Sequence, residues 1–153
     1  MRKRTGQPVS PGTSSGLGGV AVVSCQAWAV GDYSNGTARR TLIERWNGTK
    51  WTKMPSPSPG SAVNGLSSVT ATSASDAWAV GDYIANVGGF PHETLIEHWN
   101  GTAWTQMPSP NPSSTGNLLG GVAANSPSNV WAVGAFNPGS QEQTTQTLAF
   151  HCC

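Results

Sequence analysis

Two Asp-Tyr pairs are the residues of this chain best suited to bind a ligand. Asp32-Tyr33 and Asp82-Tyr83 each follow the same short apolar segment, and His92 lies in the variable stretch after the second pair. A carboxylate beside a phenol can coordinate Ca²⁺ or hold the hydroxyl groups of a sugar. The alternative is structural, because Asp in a turn accepts hydrogen bonds from nearby backbone N–H groups. A third occurrence of the segment is followed by Ala135, which favours the structural role.

The sequence has no pattern typical of a catalytic or metal site. His92 and His98 are six residues apart, or about 20 Å on a strand at ~3.3 Å per residue, which is too far to share a metal ion. Glu44 and Glu97 occupy the same position in two copies of the repeat, so we expect a whole sheet to separate them. A glycosidase needs two carboxylates within ~5–10 Å of each other, so this pair is not expected to be catalytic. No phosphate-binding glycine loop follows a predicted strand. We predict no catalytic residue, no metal ligand and no cofactor.

These residues belong to a sequence that is repeated three times. Each copy has a Gly-rich apolar segment, then Trp-Ala-Val-Gly, then Thr-Leu, and the first two copies continue through an aromatic turn to Met-Pro-Ser-Pro. Trp28 and Trp78 are 50 residues apart, and Trp78 and Trp131 are 53 apart. A period near 50 residues, made of short strand-like segments, is typical of a β-propeller blade.

Each complete copy predicts four short strands. In the second copy these are residues 66–72, 76–82, 93–99 and 104–107. Alternation in the second strand puts Trp78 and Val80 on one face and small residues on the other. Stacked blades need this complementarity, because the bulky face of one fills the shallow face of the next. Asn100-Gly101, between the last two strands, is a strong hairpin signal because both residues tolerate positive φ.

The sequence therefore predicts an all-β fold: a partial β-propeller of about three four-stranded antiparallel blades, the last lacking its outer strand. The predicted blades are residues 16–59, 60–112 and 113–153, after an arm of residues 1–15 in which residues 2–5 are a candidate closing strand. Seven tryptophans are predicted to be structural: Trp28, Trp46, Trp51, Trp78, Trp99, Trp104 and Trp131. For the tryptophan of the second strand, a sugar-stacking platform is the alternative.

Composition and charge restrict the class of protein. With 19 Gly, 11 Pro and only 10% charged residues, the chain is not a helical bundle, and seven Trp argue against disorder. All eight basic residues lie in the first 53 positions, but they are too few and too scattered for a nucleic-acid-binding surface. No stretch approaches the ~18 apolar residues of a membrane span. We predict neither a nucleic-acid nor a membrane partner.

The three cysteines show neither a disulfide framework nor a redox motif. They are Cys25, Cys152 and Cys153, an odd number, and neighbouring cysteines rarely bond each other because their Cβ directions diverge. The sequence before Cys25 superficially matches a lipoprotein cleavage box. It aligns with a strand of the second copy, however, and the strand is the interpretation that we favour.

The pattern resembles the kelch repeat of kelch-like and galactose-oxidase-like propellers. Residues 77–82 stand where the kelch strand ends in Gly-Gly, although Asp82 replaces the second Gly, and residues 99–104 stand at the aromatic-turn-Trp element. The resemblance covers residues 16–151, and it is closer still to repeats of long bacterial secreted proteins and weaker to tectonin-type lectin repeats. It implies an extracytoplasmic location. It does not imply the oxidase activity, because the Tyr–Cys crosslink and the histidine copper ligands have no counterpart.

We expect a non-enzymatic β-propeller module for protein binding or self-assembly. A carbohydrate-binding propeller and a piece of a larger secreted propeller enzyme are the alternatives. A closed ring needs ~4–8 blades, so the expected partner is a second copy of this chain or further blades of a longer one. The uneven charge is either drift between blades or attraction between a basic first blade and acidic later ones. The rim that carries the long loops is the candidate surface for a protein or glycan ligand.

Overall fold

The structure is a computed structural model, and it describes residues 8–86, 91–139 and 144–152. Within these ranges there are β-strands and no helix, so nothing described is a helix long and apolar enough to cross a membrane. The strands are β1 Ser14–Val23, β2 Gln26–Ser34, β3 Arg39–Trp46, β4 Trp51–Met54, β5 Val63–Ser73, β6 Asp76–Ile84, β7 His92–Trp99, β8 Trp104–Met107, β9 Asn117–Ser126, β10 Asn129–Phe136 and β11 Gln146–Cys152.

The strands form three antiparallel sheets that follow chain order. Blade 1 is β1-β2-β3-β4, blade 2 is β5-β6-β7-β8, and blade 3 is β9-β10-β11, with each strand paired to its neighbour in sequence. Sheets of four, four and three strands confirm the predicted all-β, partial propeller-like fold. The candidate closing strand at residues 2–5 lies outside the described residues, as do Cys153 and parts of two rim loops.

The blades stack with a bulky face against a shallow one, as the alternation in the second strand predicts. Trp28 and Val30 of β2 pack against the face of blade 2 that carries Ala77 and Ala79. In the next interface the bulky side chains of β6 and β7 pack against the face of blade 3 that carries Ala132. The two interfaces therefore repeat one design, in which large side chains enter the space left above alanines.

The predicted Asn-Gly hairpins are present, but only one residue of each pair has positive φ. Trp46 pairs with Trp51 and Trp99 with Trp104, which leaves four-residue loops. Only Gly48 and Gly101 have positive φ there, at 97° and 96°. The preceding Asn instead accepts three hydrogen bonds through its Oδ1, from the backbone and hydroxyl of the following Thr and from the next N–H.

The Pro-rich links between blades are tied to the blade that they leave. Thr41 Oγ1 donates to the carbonyl of Pro57 at 2.6 Å, and Thr94 Oγ1 donates to that of Pro110 at 2.8 Å. The side chain of the buried Asn64 then bridges the link to the start of β3, with Nδ2 donating to the carbonyls of Gly60 and Arg39. Asn117 does the same one blade later. These bonds fix the path of the chain from one blade to the next.

Candidate functional site

The aspartates of the predicted rim site are each held by the first residue of the neighbouring strand. Arg39 donates to Asp32 Oδ2 through Nε at 2.9 Å and through its second guanidinium nitrogen at 2.7 Å. His92 Nδ1 lies 2.5 Å from Asp82 Oδ2. Arg39 and His92 occupy equivalent places in β3 and β7. Each carboxylate thus has a side-chain partner within its own blade.

The tyrosines of the same pairs lie on the opposite face of each sheet, because adjacent strand residues alternate. Tyr83 Oη donates to Glu93 Oε2 at 2.6 Å, and burial together with this hydrogen bond raises the pKa of Tyr83 to about 12. The ammonium of Lys53 lies 3.6 Å from the centre of the Tyr33 ring. The structure therefore brings Asp82 and His92 together and separates them from Tyr83. Ligand binding by these five rim residues stays a prediction.

The rim also has an open cavity of about 250 Å³ between blades 2 and 3. Its lining includes His92 from blade 2 and Asn117, Leu118 and Phe136 from blade 3. The Asn117 side chain is already bonded to the carbonyls of His92 and Ser113 and to the Ser113 N–H. Among the described residues, no three His, Cys, Asp or Glu side chains are grouped as a metal site.

Three indoles form the centre of the interface between blades 1 and 2. The Trp28 ring centre lies 5.1 Å from those of both Trp99 and Trp104, which are 6.0 Å from each other. The guanidinium of Arg45 stands 5.1 Å above the Trp28 ring and 5.6 Å from the Trp99 ring. All three indoles are buried. Trp28 is thus inserted between two tryptophans of blade 2, and the guanidinium of Arg45 from its own blade lies over its ring.

Every blade repeats a stack of three side chains that the sequence analysis missed. The tryptophan of the second strand stacks with a cationic or imidazole side chain of the third, in the pairs Trp28 with Arg45, Trp78 with His98 and Trp131 with His151. The first residue of the second strand holds that side chain at 2.6 to 3.0 Å through Gln26, Asp76 or Asn129. The residue types in this three-residue group differ between copies. An alignment of the three repeats that begins at the first residue of the second strand would be needed to recognise the group from sequence.

The stack of blade 3 is open. Trp131 is 49% exposed, whereas Trp28 and Trp78, at the equivalent positions, are 0% and 5% exposed. Val133 is half-exposed too, although its equivalents in β2 and β6 are fully buried. We call this surface, formed by Leu118, Trp131, Val133 and His151, the tail face.

Blade 1 has the complementary open surface. Val20 is 66% exposed, whereas its equivalent Val69 in blade 2 is 6% exposed. Trp46 and Trp51 are partly exposed, with ring centres 5.7 Å apart at 51°, close to the arrangement of the pair that receives Trp28. We call this surface the head face, and it comprises Leu17, Val20, Val22, Trp46 and Trp51.

A buried carboxyl lies on the same side of each of the first two blades. Glu97 in β7 is fully buried in the interface with blade 1, and neither of its oxygens has a hydrogen-bond partner among the described residues. Burial raises the pKa of Glu97 to about 8. Glu44 is its equivalent beside the head face. Burial also raises the pKa of Glu44, although the backbone of Val9 and the charge of Lys53 partly oppose this.

The free energy of unfolding should therefore contain a contribution from Glu97 that falls as pH rises from about 4.5 to about 8. The folded chain keeps the Glu97 proton in this range and the unfolded chain releases it, so stability is lost at about 1.4 kcal/mol per pH unit. Glu97→Gln stays neutral and lacks this slope. Urea unfolding of both proteins at about pH 5 and pH 8 measures the difference. Parallel pH profiles for the two would mean that Glu97 ionises freely when folded.

Comparison with known proteins leaves the chain without an assigned family. No protein-family model matches the sequence, and no curated protein matches it. The resemblance to kelch-like repeats therefore stays an interpretation of the sequence, beside a β-sheet architecture that the structure shows directly.

Proposed function

We propose that this chain is a non-enzymatic β-propeller module that self-assembles, with the tail face of one copy packed on the head face of another. The exposure of Trp131 carries the proposal. The same residue in the other two blades is inserted into a neighbouring blade, and no neighbouring blade covers Trp131 within the described residues. The exposed indole therefore has the chemistry of an interface.

The interface between blades 1 and 2 is the template for the proposed joint. There, Trp28 enters between two indoles with a cation above it, and the head face offers a similar pair in Trp46 and Trp51. In the joint, Trp131 takes the place of Trp28, and His151 takes that of Arg45. The aspartates of the rim are already engaged by Arg39 and His92, which supports an assembly role over a rim-binding one.

A ring of two copies satisfies both ends of each chain. It has six blades, within the ~4–8 of closed propellers, and two identical joints. Covering the exposed half of one Trp131 contributes ~2–3 kcal/mol, at ~25 cal/mol per Å² and ~150–250 Å² for a whole Trp. The described part of blade 3 has no Lys, Arg, Asp or Glu, so apolar contact rather than charge attraction is the proposed driving force.

Wild-type protein is expected to have the mass of two chains in solution, and Trp131→Ala the mass of one. Losing ~2–3 kcal/mol raises the dissociation constant at least ~30-fold for each joint. Sedimentation equilibrium over a concentration series measures this. Thr105→Ala, on the exposed outer strand of blade 2 and outside both faces, is the control and should associate as wild type does.

Mixing two damaged proteins tests the pairing of the faces. Trp51→Ala damages the head face and should also weaken association. A mixture of Trp131→Ala with Trp51→Ala forms one intact joint, so it should associate more tightly than either protein alone. A mixture no tighter than its components contradicts the proposed contact. Monomeric wild type at every concentration contradicts self-assembly and leaves further blades of a longer chain as the occupant.

A carbohydrate-binding propeller is the second candidate function. The half-exposed indole of Trp131, beside the polar side chains of His151 and Asn129, is a surface on which a sugar ring could stack. A glycan array with wild type and Trp131→Ala separates the two functions. Binding of a defined glycan by wild type alone, with no self-association, favours this candidate.

A further inference from the structure

The position of Glu44 in the repeat differs chemically from blade to blade. Glu44 pairs in register with Ala29, Glu97 with Ala79, and Phe150 stands at the same place beside Ala132 in blade 3. In the interface between blades 1 and 2, this position is a carboxyl that apolar side chains of the preceding blade cover. Glu44 would meet the same environment when a tail face covers the head face.

We propose that head-to-tail association takes up a proton at Glu44, so that acidic conditions tighten the assembly. The inference rests on the proposed function and names the regulation of that same joint. Glu44 is already buried in the single chain, next to the backbone of Val9, and neither of its oxygens has a hydrogen-bond partner among the described side chains. The joint adds a second apolar layer on this side and moves the carboxyl further from solvent, which a neutral carboxyl tolerates far better than a charged one.

Lys53 is the group that could instead keep Glu44 charged. Lys53 of β4 pairs in register with Glu44 of β3. In blade 2 the equivalent position opposite Glu97 is occupied by Gln106, which carries no charge. The ammonium of Lys53, however, lies over the Tyr33 ring at 3.6 Å, and Glu44 forms no ion pair within the described part of the chain. The pKa of Glu44 is raised despite this lysine, because burial is the larger effect.

The other titratable and charged groups around the joint are few. On the head face, Tyr33 of β2 holds Lys53, and Arg40 of β3 donates to the carbonyl of Gly60. On the tail face, His151 of β11 is the titratable side chain within the described residues, and it stacks on Trp131. His151 takes the place of Arg45 in the joint, so its charged form fits there, and its effect must be separated from that of Glu44.

The effect has a definite sign and an upper limit. A group that is protonated in the assembly and ionised in the free chain makes association weaker as pH rises. One proton per joint changes the affinity by at most about tenfold per pH unit, and two joints in a closed ring by at most about a hundredfold. The affinity should be greatest at about pH 5 and should fall toward about pH 8, the range in which the buried Glu97 also holds its proton.

Sedimentation equilibrium from about pH 5.5 to about pH 8.5 tests the inference on four proteins. Wild type should dissociate more easily at each step upward in pH, by at least about tenfold over the range. Glu44→Gln should assemble with little pH dependence. His151→Arg, which gives blade 3 the residue type of Arg45, and Glu97→Gln, which removes the carboxyl inside the chain, should keep the wild-type slope.

The outcomes separate the inference from the proposed function. A slope that survives in Glu44→Gln, or disappears in His151→Arg, overturns proton uptake at Glu44 and leaves self-assembly standing. Wild type that stays monomeric at every pH removes both. If tryptophan fluorescence shows that Glu44→Gln is unfolded, Glu44→Phe replaces it, because Phe150 already occupies this position in blade 3. Pronounced pH dependence in Glu44→Phe again overturns the inference.

Discussion

Trp28→Ala is expected to lower the free energy of unfolding by about 3–5 kcal/mol, the range for removing a fully buried Trp. Trp28 is completely buried and contacts two indoles of the next blade with ring centres 5.1 Å away. The substitution opens a space at the centre of the interface between blades 1 and 2. It also takes from Arg45 the ring on which its guanidinium lies. Urea or thermal unfolding measures the loss.

Trp131→Ala is the matched control for this prediction, at the same strand position but with half of its surface exposed. It should cost about 2 kcal/mol when the protein is dilute enough to be monomeric, less than Trp28→Ala, because only about half of the indole surface is buried. The comparison removes residue type as a variable and leaves burial. Similar losses for Trp28→Ala and Trp131→Ala would contradict the packing of blade 1 against blade 2.

Gly81→Ala should destabilise the protein by about 3 kcal/mol or more, at the upper end of the range for overpacking. A Cβ at Gly81 would lie 2.0 Å from the carbonyl oxygen of Gly65 and 2.8 Å from the Cα of Leu66. Both are backbone atoms of the paired strand β5, so no side chain can move aside. The equivalent Gly31 and Gly134 are as close to the strand beside them.

Gly65→Ala is the control, since a Cβ at Gly65 meets no atom within 4 Å and the residue belongs to the same pair of strands. It should change the free energy of unfolding by less than about 1 kcal/mol. Chemical denaturation followed by tryptophan fluorescence measures both variants. Equal stability of Gly81→Ala and Gly65→Ala would contradict the close approach of β5 and β6.

Local patterns were sufficient to predict most strands of blade 2. Residues 76–82 and 104–107 match β6 and β8 closely, because alternation and the aromatic turn are encoded within a few positions. β5 begins at Val63, three residues before the predicted start. Its pairing with β6 shifts between Leu66 and Ser68, and this bulge interrupts the period of two on which the prediction depends.

The candidate site was less predictable, for reasons that are also physical. Alternation already implies that Asp82 and Tyr83 lie on opposite faces, but the contact between Asp82 and His92 crosses a loop of variable length. The exposure of Trp131 depends on what lies beyond its own sheet. Its sequence context matches that of Trp78, so no local pattern distinguishes the exposed residue from the buried one.

Each blade has different surfaces on its two sides, and this gives the stack a direction. One face of a blade carries large side chains and the other carries alanines. A blade placed in the reverse orientation would therefore bring two bulky faces into contact. A whole unit of about 50 residues can be duplicated or removed in frame without altering the kind of contact at the junction. The arrangement therefore suits growth by tandem duplication of the gene segment, and it makes blade 2, which is covered on both sides, the natural template for designed arrays of chosen length.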